Sequence, residues 1–391
     1  MLLYKTVVGI NKQLNKLITI PFPQLEMGTD SVANAGALMA EKGAQKVLIV
    51  TDTMIHSLGL TTSLCDSLQA QRIEYVIYDE VKPNPTIANV AVGVDLFREH
   101  SCNAIIAIGG GSPIDCAKAI GAKVVRDKPV RRLAGKLKIR KRLPPFMAIP
   151  TTAGTGSEAT VAAVVSDPSA REKFTIVDPA ILPDVALIDP KLMVGLPKPI
   201  TAATGMDALT HAIEAFIGTY HTPLTDRYAT EATEQIFIHL PVAFHDGTNL
   251  EAREQMAIAS YKAGCAFTRA YVGYVHAFAH QLGGMYNIPH GLANAVLLPN
   301  VLTLLKPYCE HRLALLAEAV ELSTAQEFID AISSLNAELG IPTSFPELKE
   351  EEIPLITKRA LAEAHGTYPV PGYLTQQQGE SLLKQFLEIS A

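Results

Sequence analysis

The sequence of 391 residues contains no tryptophan, and its five cysteines are widely spaced, with no C-x-x-C pair among them. These features argue against a disulfide framework or a cysteine zinc site, and they favour a reducing compartment. No stretch of about 18 residues runs without a charge or a helix breaker, and the first residues lack an apolar core before a small-residue cleavage site. We therefore expect no membrane span and no secretion signal, and we predict a cytoplasmic protein.

Excess positive charge is also lacking, since the formal net charge is −6 and the pI is about 6.0. This balance excludes a protein that holds nucleic acid through bulk positive charge. Residues 123–142 are the exception: ten Lys or Arg against one Asp give +9, so the remainder of the −6 chain carries −15. The segment either binds nucleic acid or another polyanion, or it is a solvated surface segment between a helix and the strand at Phe146. The second interpretation is favoured because no aromatic residues are interleaved for base stacking.

Short apolar runs rich in Val and Ile alternate with helix-length segments in the first half of the chain. The predicted strands are Lys46–Val50, Ile73–Tyr78, Ala104–Ile108, Phe146–Ile149, Val161–Val165 and Val185–Ile188. The predicted helices are Thr53–Ala70, Thr86–His100 and Pro113–Ala122. Buried strands joined by helices are typical of a parallel sheet covered on both faces, so we predict a doubly wound α/β domain.

From about residue 195 the sequence becomes rich in Ala, Leu, Glu and Gln, and strand signals become rare. The segments that predict helices are Ile200–Gly218, Thr225–Leu240, Leu250–Arg269, Gly291–Leu305, His311–Leu322 and Ala325–Leu339. We therefore predict two domains, an α/β domain at residues 1–195 and an all-α domain at residues 196–391.

A glycine-rich loop follows the predicted strand Ala104–Ile108 and reads GGGSP from residue 109. Glycines such as Gly110 let the backbone approach an anion, and the next helix offers free N–H groups and the positive end of its dipole. This layout predicts a phosphate-binding loop, although the G-x-G-x-x-G fingerprint is absent and a tight turn is the plainer alternative. Ser112 is the predicted N-cap, Pro113 the first helical residue, and Asp115 its partner in a capping box.

Polar residues also follow two other predicted strands. Residues 150–158 read PTTAGTGSE, and hydroxyls and glycines directly after a buried strand suit contacts with ribose or phosphate. Asp52 follows the first strand, where a carboxylate accepts hydrogen bonds from an adenosine ribose and repels a 2′-phosphate. From the residues alone, an N-cap role for Asp52 is the favoured interpretation. Because open α/β sheets bind ligands at the carboxyl ends of their strands, these loops together predict a nucleotide site.

Asp207 and His211 stand four residues apart in a predicted helix, so both side chains lie on one helix face. Seven of the eleven histidines fall between residues 211 and 290, among them His276, His280 and His290. One carboxylate with several imidazoles suits Fe(II), Zn or Ni rather than Mg or Ca, and we predict a metal site. Periodicity leaves open whether His280 or His290 is the further ligand, although His280 lies one turn from His276 on the same face.

Five motifs of the chain resemble those of the iron-containing, group III alcohol dehydrogenases. They are PNP from residue 83, GGGSPIDCAKAIG from 109, IPTTAGTGSEAT from 149, ATGMDALTHAIEA from 203 and HAFAHQLGGMYNIPHGLANAVLLP from 276. The resemblance runs from about residue 25 into the last helices. It implies an N-terminal Rossmann-like domain and a helical C-terminal domain, in agreement with the two domains predicted above.

The resemblance also implies roles for individual residues. The residues that match the family's metal ligands are Asp207, His211, His276 and His290. His280 then matches a non-ligand histidine beside the nicotinamide. The residues that match cofactor contacts are Asp52, Asn84, Gly111, Ser112, Thr151, Thr152 and Lys173. With Asp52 as the ribose-binding acid, NAD is favoured over NADP.

Two features depart from the family pattern. Ala162 stands where some relatives carry an Asn that touches the cofactor, and the basic residues 123–142 are unlike the corresponding segment of the members. Alanine cannot make the hydrogen bond of that Asn, so the detailed cofactor contacts are expected to differ. The basic segment bears on partners or on contacts between subunits.

We therefore expect an NAD-dependent, iron-containing alcohol dehydrogenase, in which zinc is the alternative metal, acting on a small primary alcohol or aldehyde. His280 is the candidate that relays the hydroxyl proton. The resemblance implies a homodimer or larger assembly, and neither a membrane nor nucleic acid is an expected partner. One alternative is a zinc-dependent dehydrogenase for glycerol- or propanediol-type polyols. Another is a non-catalytic NAD- or metal-binding regulator that holds nucleic acid through residues 123–142, which the complete ligand set argues against.

Overall fold

The computed structural model of the chain describes residues 20–170 and 172–388. The described chain divides into two compact units. The first, here the α/β unit, comprises Pro21–Leu196 together with Thr248–Tyr261. The second, here the helical unit, comprises Pro197–Gly247, the residues from Lys262 onward, and Ile20.

The α/β unit contains a six-stranded sheet in which all neighbouring strands are parallel. Its strands are β1 (Gln24–Met27), β2 (Lys46–Val50), β3 (Glu74–Tyr78), β4 (Ala104–Gly109), β6 (Phe146–Pro150) and β9 (Val185–Ile188). Their order across the sheet is β1-β9-β6-β4-β2-β3. Its helices include α1 (Ala35–Glu41), α2 (Thr53–Ser57), α3 (Thr62–Ala70), α4 (Ile87–Glu99) and α5 (Gly111–Val125).

The strand order reverses between β2 and β4. The chain runs outward from β2 to β3 and then returns to add β4, β6 and β9 on the other side. Such a reversal opens a crevice at the carboxyl ends of the strands, where open α/β sheets bind ligands. The loops that follow β2, β4 and β6 therefore meet at one edge of the sheet.

Both faces of the parallel sheet are buried by alternate residues of its strands. Leu48 and Val50 belong to one apolar cluster, which includes side chains of α4 and α5. Val47 and Ile49 belong to a second cluster, which includes side chains of α1 and α3. The predicted doubly wound sheet is therefore confirmed, because helices cover it on both faces.

One predicted strand does not join the parallel sheet. The run Val161–Val165 corresponds to β7 (Ala162–Asp167), which pairs antiparallel with β8 (Glu172–Val177). These two strands form a separate sheet with β5 (Gly135–Lys136). The prediction of a parallel partner is wrong here, because an apolar run predicts burial but does not say which strand it pairs with.

Two further differences concern the first third of the chain. The predicted helix Thr53–Ala70 is split into α2 and α3, with Gly59 between them at φ +73°. That conformation favours glycine and ends the first helix. Strand β1 was not predicted, since it has only four residues and lies at the edge of the sheet.

The described part of the helical unit consists of α-helices and short connections. Its helices are α6 (Lys198–Ile217), α7 (Pro223–His245), the second part of α8 (Leu250–Ala270), α9 (Tyr274–Tyr286), α10 (His290–Ala319), α11 (Ala325–Glu338), α12 (Ile353–Thr367) and α13 (Gln376–Lys384). The predicted all-α character is confirmed, and the gap between two predicted helices falls at the non-helical residue Cys309 within α10. Within residues 20–170 and 172–388, no helix combines the length and the apolar character that a membrane crossing requires.

Candidate active site

Asp52 directly follows β2, at the edge where the strand order reverses. Its Oδ1 accepts a hydrogen bond from the backbone N–H of Ile55 at 2.9 Å, so Asp52 is the N-cap of α2. The N-cap interpretation drawn from the residues alone is therefore correct. A carboxylate has two oxygens, so capping through Oδ1 is compatible with a ribose hydroxyl at Oδ2. The ribose contact stays a prediction.

The glycine-rich loop after β4 leads directly into α5. The N-cap is Gly110 and the first helical residue is Gly111, so the predicted N-cap role of Ser112 is wrong. The capping box is also absent, because the carboxylate of Asp115 accepts from Ser157 Oγ at 2.6 Å and from the N–H of Val164 at 2.9 Å. A glycine N-cap leaves the first N–H groups of the helix without a side-chain acceptor, as an anion site requires.

Three of the predicted cofactor contacts meet beside this loop, although they come from separate parts of the chain. Asn84 adopts a left-handed conformation (φ +58°), and its backbone N–H donates to Ser112 Oγ at 3.2 Å. Asn84 Oδ1 accepts from Nζ of Lys173, on β8, at 2.8 Å. An ammonium group and a hydroxyl thus lie near the N-terminus of α5, a combination that suits phosphate oxygens.

Thr151 and Thr152 follow β6 and open a loop that lies against the glycine-rich loop. Thr151 is buried, and its N–H donates to Gly109 O at 3.0 Å. A Cβ added at Gly111 would come within 2.8 Å of Thr155 Cγ2, so this close approach requires glycine. The result is a bare stretch of backbone at a helix N-terminus, which fits the pyrophosphate of a dinucleotide.

A buried lysine behind the two loops was not anticipated from the sequence. Lys118 of α5 donates from Nζ to Ser157 O at 2.6 Å and to Thr160 Oγ1 at 2.8 Å. Burial lowers the pKa of Lys118 to about 8, while the charges of Asp115 and Glu158 act in the opposite direction. Because Asp115 bonds the same segment from one turn earlier, α5 and the loop after β6 are held together by buried hydrogen bonds.

In the helical unit, four residues each bring a potential ligand atom within 4.8 Å of one another. They are Asp207 and His211 on α6, His276 on α9 and His290 on α10. The first three are buried, whereas the side chain of His290 is 38% exposed. The cluster therefore opens to solvent on the side of His290.

The amide of a buried asparagine lies at the centre of this cluster. Asn294 Nδ2 is 2.7 Å from Asp207 Oδ1 and 3.2 Å from Nε2 of both His276 and His290. Three of the four candidate ligand atoms therefore surround one amide nitrogen, which carries two hydrogens and cannot donate to all three. A carboxylate and several imidazoles that converge in a buried space fit a divalent transition metal. Asn294 was not predicted, although it lies one turn after His290.

Glu214, which the sequence reasoning also missed, fixes the orientation of His276. Its carboxylate lies 2.7 Å from His276 Nδ1 and accepts from two backbone N–H groups. Burial, together with the neighbouring histidines, lowers the pKa of His276 well below its ordinary value. A neutral ring can donate Nδ1–H to Glu214 while its Nε2 faces the cluster. Glu214 lies three residues after His211, so helical periodicity carried a signal for it.

His280, the predicted proton relay, stacks on His290 with ring centroids 5.2 Å apart. Its Nδ1 lies 2.7 Å from Oε1 of Glu363, on α12, and Glu363 also accepts from Gln281 at 2.9 Å and Tyr368 at 2.6 Å. Burial would raise the pKa of Glu363, but the charge of His280 and these hydrogen bonds together lower it. Glu363 is therefore a carboxylate that holds the imidazole ring. No local pattern links residues that are 83 positions apart, so this pair could not be predicted from the sequence.

The loops after β2, β4 and β6, together with Asn84 and Lys173, are here called the cofactor cradle. A candidate dinucleotide site of this kind and a set of transition-metal donors are the two features that a metal-dependent dehydrogenase requires. The model of iron-containing alcohol dehydrogenases matches residues 23–190, and the model of the C-terminal part of that family matches residues 201–387. The chain belongs to the iron-containing alcohol dehydrogenase family.

Individual relatives match over most of the chain. The NAD-dependent methanol dehydrogenase of Bacillus methanolicus is 39% identical over 375 residues, covering 93% of this chain and 98% of the relative. The 1,3-propanediol dehydrogenase of Citrobacter freundii is 41% identical over 350 residues, covering 86% and 90%. The crystal structure of a 1,3-propanediol oxidoreductase matches with a TM-score of 0.91 at 39% identity, covering 94% of this chain and 99% of that one. The family, the fold and the dehydrogenase activity expected from the resemblance are confirmed.

Proposed function

We propose that this enzyme interconverts a small primary alcohol and its aldehyde with NAD(H) and one divalent metal ion. The observation that carries the proposal is the buried Asp–His cluster, whose ligand atoms lie within 4.8 Å of one another. When bound, the metal supplies Lewis acidity toward an alcohol oxygen and NAD supplies the hydride acceptor. The other requirements of the reaction fall to side chains and backbone of this chain.

The metal ion is held by Asp207, His211, His276 and His290. One carboxylate and three neutral imidazoles leave a divalent ion with a charge of about +1, by counting ligand charges. Glu214 keeps His276 in the tautomer that binds a metal through Nε2. We propose Fe(II) as the native ion, with zinc as the alternative, because this donor set suits both.

The cofactor is held at the edge of the parallel sheet. Gly110, Gly111 and Ser112 offer the pyrophosphate the N-terminus of α5. Asn84 and Lys173 add a polar contact beside it, as their 2.8 Å hydrogen bond supports. We assign Asp52 to the adenosine ribose. We assign Thr151 and Thr152, which follow β6, to further contacts with the cofactor.

The hydroxyl proton of the alcohol leaves through His280. The bond between His280 Nδ1 and Glu363 fixes the ring, so Nε2, on the opposite side, is the atom that takes a proton. Glu363 and its partner Tyr368 extend the hydrogen-bonded path beyond the imidazole. His280 therefore acts as a proton relay rather than as a ligand.

A short diol is the second candidate substrate. The 41% identity to a relative named for 1,3-propanediol supports it. Phe267, which stacks on His211 at 4.1 Å, is an apolar neighbour of the cluster and favours an alcohol without a second hydroxyl group. We further propose that the enzyme is cytoplasmic and that it forms a homodimer or a larger assembly. Sedimentation that finds only a 42.0 kDa species at every concentration would contradict the proposed assembly.

The test begins with metal analysis of enzyme purified without chelator. NAD reduction is then measured with methanol, ethanol, 1-propanol, 1,3-propanediol and glycerol, before chelation, after it, and after Fe(II) or Zn(II) is restored. We expect one metal ion per chain and activity on primary alcohols that chelation removes and one of the two metals restores. Chelator-insensitive activity, or a metal-loaded protein that oxidises none of these compounds, contradicts the proposal.

A further inference from the structure

A surface depression of about 350 Å³ lies within the basic segment between α5 and β6. The residues that line it are Lys128, Arg131, Arg132, Ala134 and Lys138. Four of the five are cationic, so the depression has a formal charge of +4. Neither the cofactor cradle nor the metal cluster includes any of them.

The backbone beneath these cations is fixed by the fold. Val130, Leu133 and Ile139 are buried, and β5 pairs with β8. The carboxylate of Asp178 accepts hydrogen bonds from the N–H of Ile139 at 2.8 Å and of Arg140 at 3.1 Å. The backbone that carries the cationic side chains is therefore held in place by buried contacts.

Three of the four cations in the depression lack the carboxylate partners that their neighbours have. Lys123 pairs with Asp127 and Arg142 with Asp184, both outside the depression. Within it, Arg131 pairs with Glu172. Among the residues that the structure describes, no carboxylate lies within ion-pair distance of the other three, which are Lys128, Arg132 and Lys138. Like charges gathered without counter-charges repel one another, and an anion from solution would relieve that repulsion.

We propose that this depression binds a compact polyphosphate anion, at a site separate from the NAD loops. Its volume is at the lower end of small-molecule sites, which suits a chain of two or three phosphate groups. Arginine presents a planar set of donors that matches phosphate oxygens, and the lysines add point charges. No aromatic residue occurs in residues 123–142, and Phe174, whose ring centroid lies 4.8 Å from the guanidinium carbon of Arg131, is buried, so nucleic acid is disfavoured. The proposal is independent of the substrate and the metal.

The test is calorimetric titration of the full-length enzyme with inorganic tripolyphosphate and with pyrophosphate. Saturating NAD is present throughout, so that the phosphate-binding loop after β4 is occupied. We expect one saturable site per chain, and binding that weakens as salt rises. The variant Arg132→Gln/Lys138→Gln should bind tripolyphosphate at least about tenfold more weakly, because two charge-assisted contacts are lost. Its alcohol dehydrogenase activity should equal that of the wild type.

The matched control is Lys136→Gln/Lys141→Gln, which removes the same charge from the same segment but outside the depression. This control should retain the affinity of the wild type within about twofold. Equal weakening in both double variants would mean that only the overall charge matters, and it would overturn the proposal. Absence of saturable binding in the presence of NAD would also overturn it. Tighter binding of a single-stranded oligonucleotide than of tripolyphosphate, through the same residues, would assign the depression to nucleic acid instead.

Discussion

The two candidate binding regions of this enzyme are built from different parts of the polypeptide. The cradle in the α/β unit consists mainly of backbone N–H groups and glycines on loops after neighbouring strands. The cluster in the helical unit consists of side chains from three helices. A site made of backbone is determined by local chain conformation, whereas a site made of side chains is determined by how helices pack.

This difference predicts how each region responds to substitution. In the cluster, one truncated side chain removes one ligand of four, and nothing local replaces it. In the cradle, most donors belong to the backbone, so a side-chain change alters selectivity more than it abolishes binding. A buried polar residue supports each region: Glu214 contacts the cluster and Lys118 contacts the loops of the cradle. Substitution of either residue should have an effect of intermediate size.

The largest effect is expected at His276. His276→Ala should abolish metal binding and reduce kcat by at least about a thousandfold, because the charge stabilisation that a metal supplies amounts to several kcal/mol. His280→Ala, one turn further along α9, is the matched comparison. It should keep the metal and lose about a hundredfold in kcat, as expected for an acid–base group. Metal content and kcat of both variants decide the matter, and a metal-free His280→Ala beside a metal-loaded His290→Ala would reverse our assignment.

The next effect concerns Asp52, the one side chain of the cradle that should control selectivity. With NADP, its carboxylate would face a phosphate, and a repulsion of about 2–4 kcal/mol corresponds to roughly 30- to 700-fold preference for NAD. Asp52→Asn should keep the helix cap and relieve the repulsion, whereas Asp52→Gly should also weaken NAD. Values of kcat/KM for both cofactors test this. A wild type that prefers NADP, or an unchanged preference in Asp52→Gly, would leave Asp52 as a cap alone.

A smaller effect is expected at Glu214, which contacts His276 and not the metal. Glu214→Gln should weaken metal affinity by about 10- to 100-fold, as changes in groups behind a metal ligand do. Competition of Zn²⁺ between apoenzyme and a chelator of known affinity gives the number directly. The exposed Glu251 on α8 serves as the control, since Glu251→Gln should leave the affinity unchanged. Equal affinities in the Glu214 variant and the wild type would show that His276 needs no orienting partner.

The last expected effect is on stability rather than on binding or rate, and it is a pH dependence at Glu158, beside Lys118. Burial raises the pKa of Glu158 from 4.5 to about 7. Between these values the unfolded chain has released the proton and the folded chain has kept it, so the free energy of unfolding falls as pH rises. In Glu158→Gln this fall, about 3 kcal/mol at most, should disappear. Urea unfolding at several pH values across that window measures it, and parallel curves for the two proteins would contradict the assignment.

Sequence periodicity and turn chemistry predicted those parts of both regions that depend on short segments. Asp207 and His211 share a helix face because of their spacing, and the glycines after β4 predict a phosphate-binding loop at the start of α5. Periodicity placed His280 beside His276 but left His290 undecided, and the packing of α10 against α6 and α9 brings His290 into the cluster. The family resemblance selected His290 because it carries information about tertiary contacts.

The elements that the sequence did not predict depend on distant residues. Glu363 reaches His280 from α12, and neither segment contains a signal for the other. The bounds of α9 were not predicted, although His276 and His280 were placed one helical turn apart. Ser112 was wrongly placed at the N-cap, because a hydroxyl is the usual cap whereas glycine serves here.

The four candidate ligands differ in exposure, and the most exposed one marks the side of the cluster that faces solvent. Asp207, His211 and His276 are buried, and the His290 side chain is 38% exposed, so we expect an ion at this cluster to enter and leave past His290. Loss of the ion would need its contacts with all four residues to break, and the imidazole of His290 is the one with exposed surface toward which it can swing. We therefore expect a small chelator to strip the folded enzyme without unfolding it.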